Sequence, residues 1–183
     1  AYEITYGDWS SDVCSSDLGQ YATWAGSIID PQRPVVLICE PGSELESAVR
    51  LGRIGFDNIA GYLDGGMAAL ASRPELTSTI TRISPETSRE AIARGDVTPV
   101  DVRTPAERAA GSIAGALAAP LSRLASHLSD LPSNRPLLLF CAGGYRSAIA
   151  ASLLEAQGFD VRELAGGMAA WEHAGLPVVE SAA

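Results

Sequence analysis

The clearest hydrophobic pattern in the chain is an apolar run that leads into a glycine-containing loop and then into a helix. Leu137 to Phe140 is wholly apolar, and Ala148 to Gln157 has the composition of a helix that ends at Gly158. A short apolar run bounded by turn residues is typical of a strand buried on both faces of a sheet. The pattern therefore predicts a strand, a tight loop and a helix in succession.

The same alternation extends over residues 84–180. Ser84-Pro85-Glu86 supplies an N-cap, a first-turn proline and an acid, so it predicts a helix, which Gly95 ends. The other predicted elements are a strand from Val97 to Val102, a capping-box helix from Thr104 to Ala110, a short strand from Ile113 to Leu117, an amphipathic helix from Pro120 to Leu131, a strand from Val161 to Leu164 and a helix from Gly167 to His173. Alternating strands and helices predict an α/β fold, with a parallel sheet covered by helices on both faces.

Part of this pattern occurs twice. Residues 34–70 read PVVLICEPGSELESAVRLGRIGFDNIAGYLDGGMAAL, and residues 136–171 read PLLLFCAGGYRSAIAASLLEAQGFDVRELAGGMAAW. Alignment on the shared Gly-Phe-Asp places Ile38 opposite Cys141, and one gap places Cys39 there instead. The first copy has Glu40 and Glu44 in its loop and no arginine there, which would repel an anion and oppose thiolate formation. We interpret the first copy as catalytically inactive.

These patterns predict four segments. Residues 1–18 show no helix or strand period and are expected to be a disordered or non-native leader. Residues 19–72 are predicted to form a partial, inactive copy of the second unit, and residues 73–83 a polar linker. Residues 84–180 are the predicted active domain.

Composition narrows the classes of partner. The chain has 183 residues, 46% hydrophobic content and a formal net charge of −9. No stretch supplies the basic face that nucleic acids or anionic membranes require. No apolar run approaches the ~18 residues of a membrane span, so we expect a cytoplasmic protein that acts on small molecules or protein partners.

The cysteines and histidines argue against a structural disulfide or a metal. Cys14, Cys39 and Cys141 show no paired spacing, and His127 and His173 lie far apart without a third ligand. We therefore expect neither a metal nor another cofactor. Only Cys141 lies where a buried strand meets a helix start, and this position favours thiol chemistry.

The loop after Cys141 has the composition of an anion site. Backbone N–H groups and the positive end of a helix dipole stabilise an anion, so we expect Cys141 to be largely thiolate at neutral pH. Arg146 can pair with an anionic substrate, and Ser147 can donate its hydroxyl. We predict Cys141 as the catalytic residue and six loop residues as substrate-binding: Ala142, Gly143, Gly144, Tyr145, Arg146 and Ser147.

Three stretches give this region a family resemblance. CAGGYRS, with DVRTPAER before it and GGMAAWEHAGLPV after it, resembles a rhodanese (thiosulfate sulfurtransferase) domain over roughly residues 80–180. The family loop C-x-x-G-x-R-[ST] is matched at Cys141, Gly144, Arg146 and Ser147. The resemblance implies a persulfide on Cys141, with small sulfur-containing anions, thiols or persulfides as partners and a protein sulfur acceptor as a further candidate.

The resemblance also covers residues outside the loop. The Asp-x-Arg signature of the family falls on Asp101 and Arg103, which are predicted either to contact substrate or to form a structural charge pair. The chain reads Gly-Ser-Ile-Ala-Gly-Ala at residues 111–116, where the family usually reads Gly-His-Ile-Pro-Gly-Ala. This departure puts local rigidity in question, not the nucleophile.

The first copy resembles the latter part of a degenerate rhodanese domain. An inactive unit followed by an active one resembles the C-terminal region of metallo-β-lactamase-fold proteins fused to rhodanese domains. That resemblance implies that the chain is a piece of a longer protein, although the His-x-His-x-Asp-His motif of that fold does not occur in it.

Three functions remain open. The first is sulfurtransfer from thiosulfate or a persulfide to a thiophilic acceptor. The second is a non-catalytic sulfur carrier or regulatory module of a larger persulfide-metabolising protein. The third is a cysteine-dependent phosphatase, but its loop is C-x5-R, whereas Cys141 and Arg146 give C-x4-R and a smaller cavity.

Overall fold

The computed structural model describes residues 4–6 and 18–180. These residues divide into two compact units, the first with Ile4 and residues 18–78 and the second with residues 5–6 and 79–180. Strand β1 (Ile4–Tyr6) lies in the segment predicted as a disordered or non-native leader, so the expectation of disorder was wrong for these three residues. β1 pairs with β4 (Thr77–Thr79). The rest of the predicted leader up to residue 17, with Cys14, lies outside the described residues.

A five-stranded sheet forms the centre of the second unit. Its strands are β5 (Thr81–Ile83), β6 (Thr98–Asp101), β7 (Leu117–Ala118), β8 (Leu137–Phe140) and β9 (Val161–Leu164). The strand order is β5-β9-β8-β6-β7 and every pairing is parallel. The predicted parallel α/β sheet is confirmed.

The helices of this unit begin and end close to the predicted signals, except that the helix predicted over Ala148 to Gln157 begins at Tyr145 and ends at Glu155. They are α3 (Pro85–Arg94), α4 (Pro105–Ala109), α5 (Tyr145–Glu155) and α6 (Gly167–His173). The Ser84 hydroxyl accepts the Thr87 N–H at the start of α3, and Gly95 ends that helix in the left-handed conformation. Thr104 and Glu107 form the complete capping box at the start of α4.

The hydrophobic core lies on both faces of β8. All four of its residues, Leu137–Phe140, are fully buried. On one face, Leu138 and Phe140 pack in a cluster with Leu164, Met168 and Trp171. β8 is therefore the rigid central strand from which the Cys141 loop emerges.

Further elements differ from their prediction, and β4 (Thr77–Thr79) is one of them because it lies inside the predicted linker. β5 lies inside the predicted linker, because edge strands tolerate the exposed polar residues that favoured a linker there. The predicted strand from Ile113 to Leu117 is reduced to β7. Residues 121–130 are 3₁₀ with a kink at Arg123. The buried Leu121 and Leu124 are three residues apart, and that spacing suits three residues per turn.

The first unit is smaller. Its elements are α1 (Leu18–Ile28), β2 (Val35–Leu37), α2 (Glu44–Gly52) and β3 (Ile59–Tyr62), and β2 pairs with β3 in parallel. Its core consists of Ala25, Leu37, Leu51 and Phe56. Helix α1 was not predicted from the sequence. Within the described residues, no helix of either unit combines the length and apolar character needed to cross a bilayer.

Candidate active site

Cys141 directly follows the central strand β8 and is only 1% exposed. Its Sγ accepts a hydrogen bond from the Gly144 backbone N–H at 3.0 Å. Gly144 adopts a φ of +108° as the cap of α5, a conformation that favours glycine. The predicted strand, loop and helix are therefore present, with the sulfur turned towards the start of the helix.

The first turn of α6 holds the loop from the other side. The N–H groups of Met168 and Ala169 donate to the carbonyl oxygens of Cys141 and Ala142, at 2.8 and 3.0 Å. Gly167 permits this approach because a Cβ there would lie 2.5 Å from the Cys141 carbonyl oxygen. The position of Cys141 thus depends on the Gly166-Gly167 pair at the start of α6.

Arg146 is paired with a residue predicted only as a helix cap. Its two terminal nitrogens donate to the two Glu107 carboxylate oxygens, at 2.7 and 2.5 Å. This pairing lowers the pKa of Glu107 from 4.5 to about 2. The pKa of Arg146 is raised, chiefly by Glu107 and to a lesser extent by Cys141. Arg146, which was predicted to bind an anionic substrate, therefore shares its charge with a carboxylate.

Ser147 lies fully buried in the first turn of α5. Its Oγ is 3.6 Å from Cys141 Sγ, 2.9 Å from the Gly144 carbonyl oxygen and 2.6 Å from Glu163 Oε1. Glu163, on β9, is itself buried and accepts a hydrogen bond from Arg82 Nε at 2.9 Å through its other oxygen. Glu163 was not predicted as a site residue from the sequence, because a single acidic residue in a short strand is typical of a solvent-facing position.

Asp101 and Arg103 form a buried pair whose described side-chain hydrogen bonds lie among residues 101–112. The Arg103 side chain donates to both Asp101 oxygens, at 2.9 and 2.7 Å, and to the Gly111 carbonyl oxygen. The Ser112 hydroxyl donates to Asp101 at 2.8 Å, and the Ser112 backbone pairs with Val179. These contacts favour the structural alternative for Asp101 and Arg103. Through its hydrogen bond to Asp101 and its backbone pairing with Val179, Ser112 fixes the turn at residues 111–116, where the family pattern given above has histidine.

The remaining predicted loop residues form the outer part of the site. Ala142 and Gly143 are exposed, whereas Gly144 and Tyr145 are partly buried. The loop is therefore exposed to solvent at Ala142 and Gly143. In the described parts of the chain, no group of three or more His, Cys, Asp or Glu side chains is placed to hold a metal ion.

Comparison with known proteins gives this arrangement a family. The profile of the rhodanese-like domain matches residues 84–174. A sulfurtransferase of Allochromatium vinosum is 42% identical over 85 residues, which are 46% of this chain and 79% of that protein. Thiosulfate sulfurtransferase GlpE of Pseudoalteromonas translucida is 36% identical over 92 residues, 50% of this chain and 88% of that protein.

A solved structure agrees with the sequence relatives. The rhodanese-related protein of Thermoplasma volcanium superimposes with a TM-score of 0.52 at 33% identity, over 55% of this chain and 99% of its own. The chain therefore belongs to the rhodanese-like domain family, whose fold is the parallel sheet that carries Cys141.

Proposed function

We propose that the second unit is a sulfurtransferase that moves sulfane sulfur from thiosulfate or a persulfide to a thiophilic acceptor through a Cys141 persulfide. The observation that carries this proposal is the position of Cys141 Sγ. It lies at the end of the central strand, accepts the Gly144 N–H and is beside the Arg146 cation. A site of this kind stabilises a thiolate and attracts an anionic donor.

The proposed reaction has two displacement steps. In the first, the Cys141 thiolate attacks the outer sulfur of thiosulfate, the sulfur–sulfur bond of the donor breaks, and sulfite leaves with the bonding electron pair. In the second, a nucleophile such as cyanide or a thiol attacks the outer sulfur of the persulfide, and Cys141 leaves as the thiolate. The Gly144 N–H serves both steps, because negative charge is present on Sγ before the first and after the second.

The proposal gives the other predicted site residues separate roles. Arg146 attracts the anionic donor, and Ala142, Gly143 and Tyr145 border the open side of the loop. Asp101 and Arg103 act at a distance, because their buried pair fixes the turn that follows β6.

The test is release of thiocyanate from thiosulfate and cyanide by the purified chain. We expect turnover by the unaltered chain and none by Cys141→Ser, which keeps the size of the side chain but lacks the thiol. Cys39→Ser is the matched control and should retain full turnover. Hydrolysis of phosphate esters without thiocyanate release would instead favour the phosphatase alternative.

A sulfur carrier or regulatory module is the second candidate, and the burial of Cys141 is the observation that favours it. A carrier would accept sulfur from a partner enzyme and hold it beyond the reach of small acceptors. Persulfide formation without thiocyanate release would support this alternative, whereas steady turnover with cyanide would exclude a pure carrier.

We also propose that residues 19–72 are an inactive remnant of a second rhodanese unit. A Cβ on Gly66 would overlap the Cys39 carbonyl oxygen, as one on Gly167 would overlap that of Cys141. Val35 pairs with Ile59 as Leu137 pairs with Val161. Both relationships support the gapped alignment, which places Cys39 opposite Cys141.

Two broader proposals follow from the same resemblance. The order of an inactive and an active unit supports membership of a longer, cytoplasmic, metallo-β-lactamase-fold fusion that metabolises persulfides. The proposed fusion predicts a metal-binding motif upstream of this chain in the same reading frame. Determining the complete coding sequence tests whether that motif is present. Cell fractionation of the full-length protein tests the location.

A further inference from the structure

Glu163 is a buried carboxylate beneath the catalytic loop, and no step of the proposed reaction uses it. Its side chain is 2% exposed, and it lies next to β8 because Leu139 and Glu163 are paired across β8 and β9. On the other side of β9, Arg82 is its cross-strand partner and pairs with it at 2.9 Å. A buried carboxylate is costly to maintain, so its contacts within the site indicate a role.

Ser147 connects this carboxylate to the sulfur. The Ser147 hydroxyl has one proton and three acceptors within reach, of which Glu163 Oε1 at 2.6 Å is the nearest and Cys141 Sγ at 3.6 Å the farthest. A charged acceptor at a short distance forms the stronger hydrogen bond. The proton therefore points to Glu163, and an oxygen lone pair faces the sulfur.

We propose that Glu163 is a positioning residue that withholds the Ser147 hydroxyl proton from Cys141. The thiolate then accepts the Gly144 N–H but receives no second hydrogen bond from Ser147. A thiolate with fewer hydrogen bonds is more basic and more nucleophilic, so Glu163 favours attack on the donor sulfur. This inference rests on Cys141 being the nucleophile of the proposed function.

Replacement of Glu163 by glutamine reverses the orientation of Ser147. Arg82 donates to the amide oxygen of the new side chain, and the amide NH₂ then donates to Ser147 Oγ. The Ser147 proton is left to point at the sulfur or at the Gly144 carbonyl oxygen, and the thiolate is the stronger acceptor because it is charged.

Other charges around the site must stay constant in the test. They are Arg146 on α5, Glu107 on α4, Arg82 on β5 and the Asp101–Arg103 pair after β6. None of them is altered by changes at Glu163 or Ser147. Loss of the Glu163 charge would by itself stabilise the thiolate, so a double-variant cycle is needed to separate this direct effect from the effect through Ser147.

The experiment follows the ultraviolet absorbance of the Cys141 thiolate against pH, with Cys14 and Cys39 replaced by serine. We expect E163Q to lower the titration midpoint by about one pH unit, since the sulfur gains a charge-assisted hydrogen bond. We expect S147A to leave the midpoint within about half a unit of the unaltered chain. Added to E163Q, S147A should remove most of the shift that E163Q causes, and the remainder is the direct effect of the lost charge. The rate constant for the reaction of Cys141 with the neutral disulfide dithiodipyridine, measured at a pH where the thiol is fully ionised, should fall about threefold in E163Q.

Two results would overturn the inference. One is a double variant that keeps the lowered midpoint of E163Q, because Glu163 would then act only through its charge. The other is a raised midpoint in S147A alone, because the hydroxyl would then already donate to the sulfur. S147A keeps Glu163 in place, so this second result can be read even if E163Q does not fold. The titration needs no sulfur donor, so it is read independently of whether the chain transfers sulfur.

Discussion

Arg146 and Glu107 face each other in a two-point ion pair that joins the Cys141 loop to the short helix α4. The Arg146 side chain is 15% exposed and that of Glu107 35%, so the pair lies at the rim of the site. An anionic donor that binds Arg146 must share this cation with Glu107 or displace the carboxylate. Under the proposed function, we therefore expect the pair to set how strongly the site prefers an anionic donor over a neutral one.

Glu107→Gln is expected to lower the KM for thiosulfate by about threefold, in line with the modest strength of partly exposed ion pairs. Glutamine keeps the capping box of α4, so the helix start is preserved. Steady-state kinetics with thiosulfate and cyanide measure the effect. Glu90→Gln removes the same charge from a surface pair on α3 and should leave the KM unchanged. An unchanged KM in Glu107→Gln would argue against competition for Arg146.

Arg146→Ala is expected to impair the use of thiosulfate more than the use of a neutral organic persulfide donor. The physical reason is that only the anionic donor gains from the guanidinium charge. The ratio of kcat/KM for the two donors measures this effect. Equal losses with both donors would show that Arg146 supports the shape of the loop and not the binding of charge.

The Glu107–Arg146 pair also predicts a dependence of stability on pH. The folded-state pKa of Glu107 is lowered from 4.5 to about 2, so the stabilisation is complete above 4.5 and is lost as the pH falls towards 2. The urea midpoint of the unaltered chain should exceed that of Glu107→Gln at neutral pH. This difference between the two midpoints should shrink as the pH falls from 4.5 to about 2. A difference that stayed constant down to pH 2 would contradict this linkage.

Gly167→Ala is expected to displace the Cys141 loop. A Cβ at Gly167 meets the Cys141 carbonyl oxygen at 2.5 Å, whereas Gly175, with a similar positive φ, has open space around it. Gly175→Ala is therefore the matched control for backbone strain alone. Gly167→Ala should lower the free energy of unfolding by about 1–3 kcal/mol more than the control does, and it should reduce sulfurtransfer. Equal effects in the two variants would show that the close approach of residue 167 to the Cys141 carbonyl oxygen does not affect stability or activity.

Much of the fold could be predicted because local signals and tertiary packing agree in the second unit. The apolar run of β8, the cap at Ser84 and the capping box at Thr104 each predict the observed element. β5 was mistaken for linker because its polar residues suit an exposed edge strand. The polar sequence of β5 alone does not indicate a strand. The strand is recognised only from its pairing with β9 in the folded sheet.

The candidate site could be predicted only in part. Cys141, Gly144 and Arg146 are recognisable because the loop is continuous in sequence. The partners Glu107 and Glu163 come from α4 and β9, so their contacts arise from the order of strands in the sheet. A capping residue and a lone acid in a strand give no sign of those contacts in the sequence.

The most direct test of the central claim is the intact mass of the protein after incubation with thiosulfate. The account predicts a gain of one sulfur atom that a thiol reductant removes, present in the unaltered chain and in Cys39→Ser, and absent in Cys141→Ser. A gain that persists in Cys141→Ser, or no gain in the unaltered chain, would contradict the assignment of Cys141 as the residue that carries the sulfur.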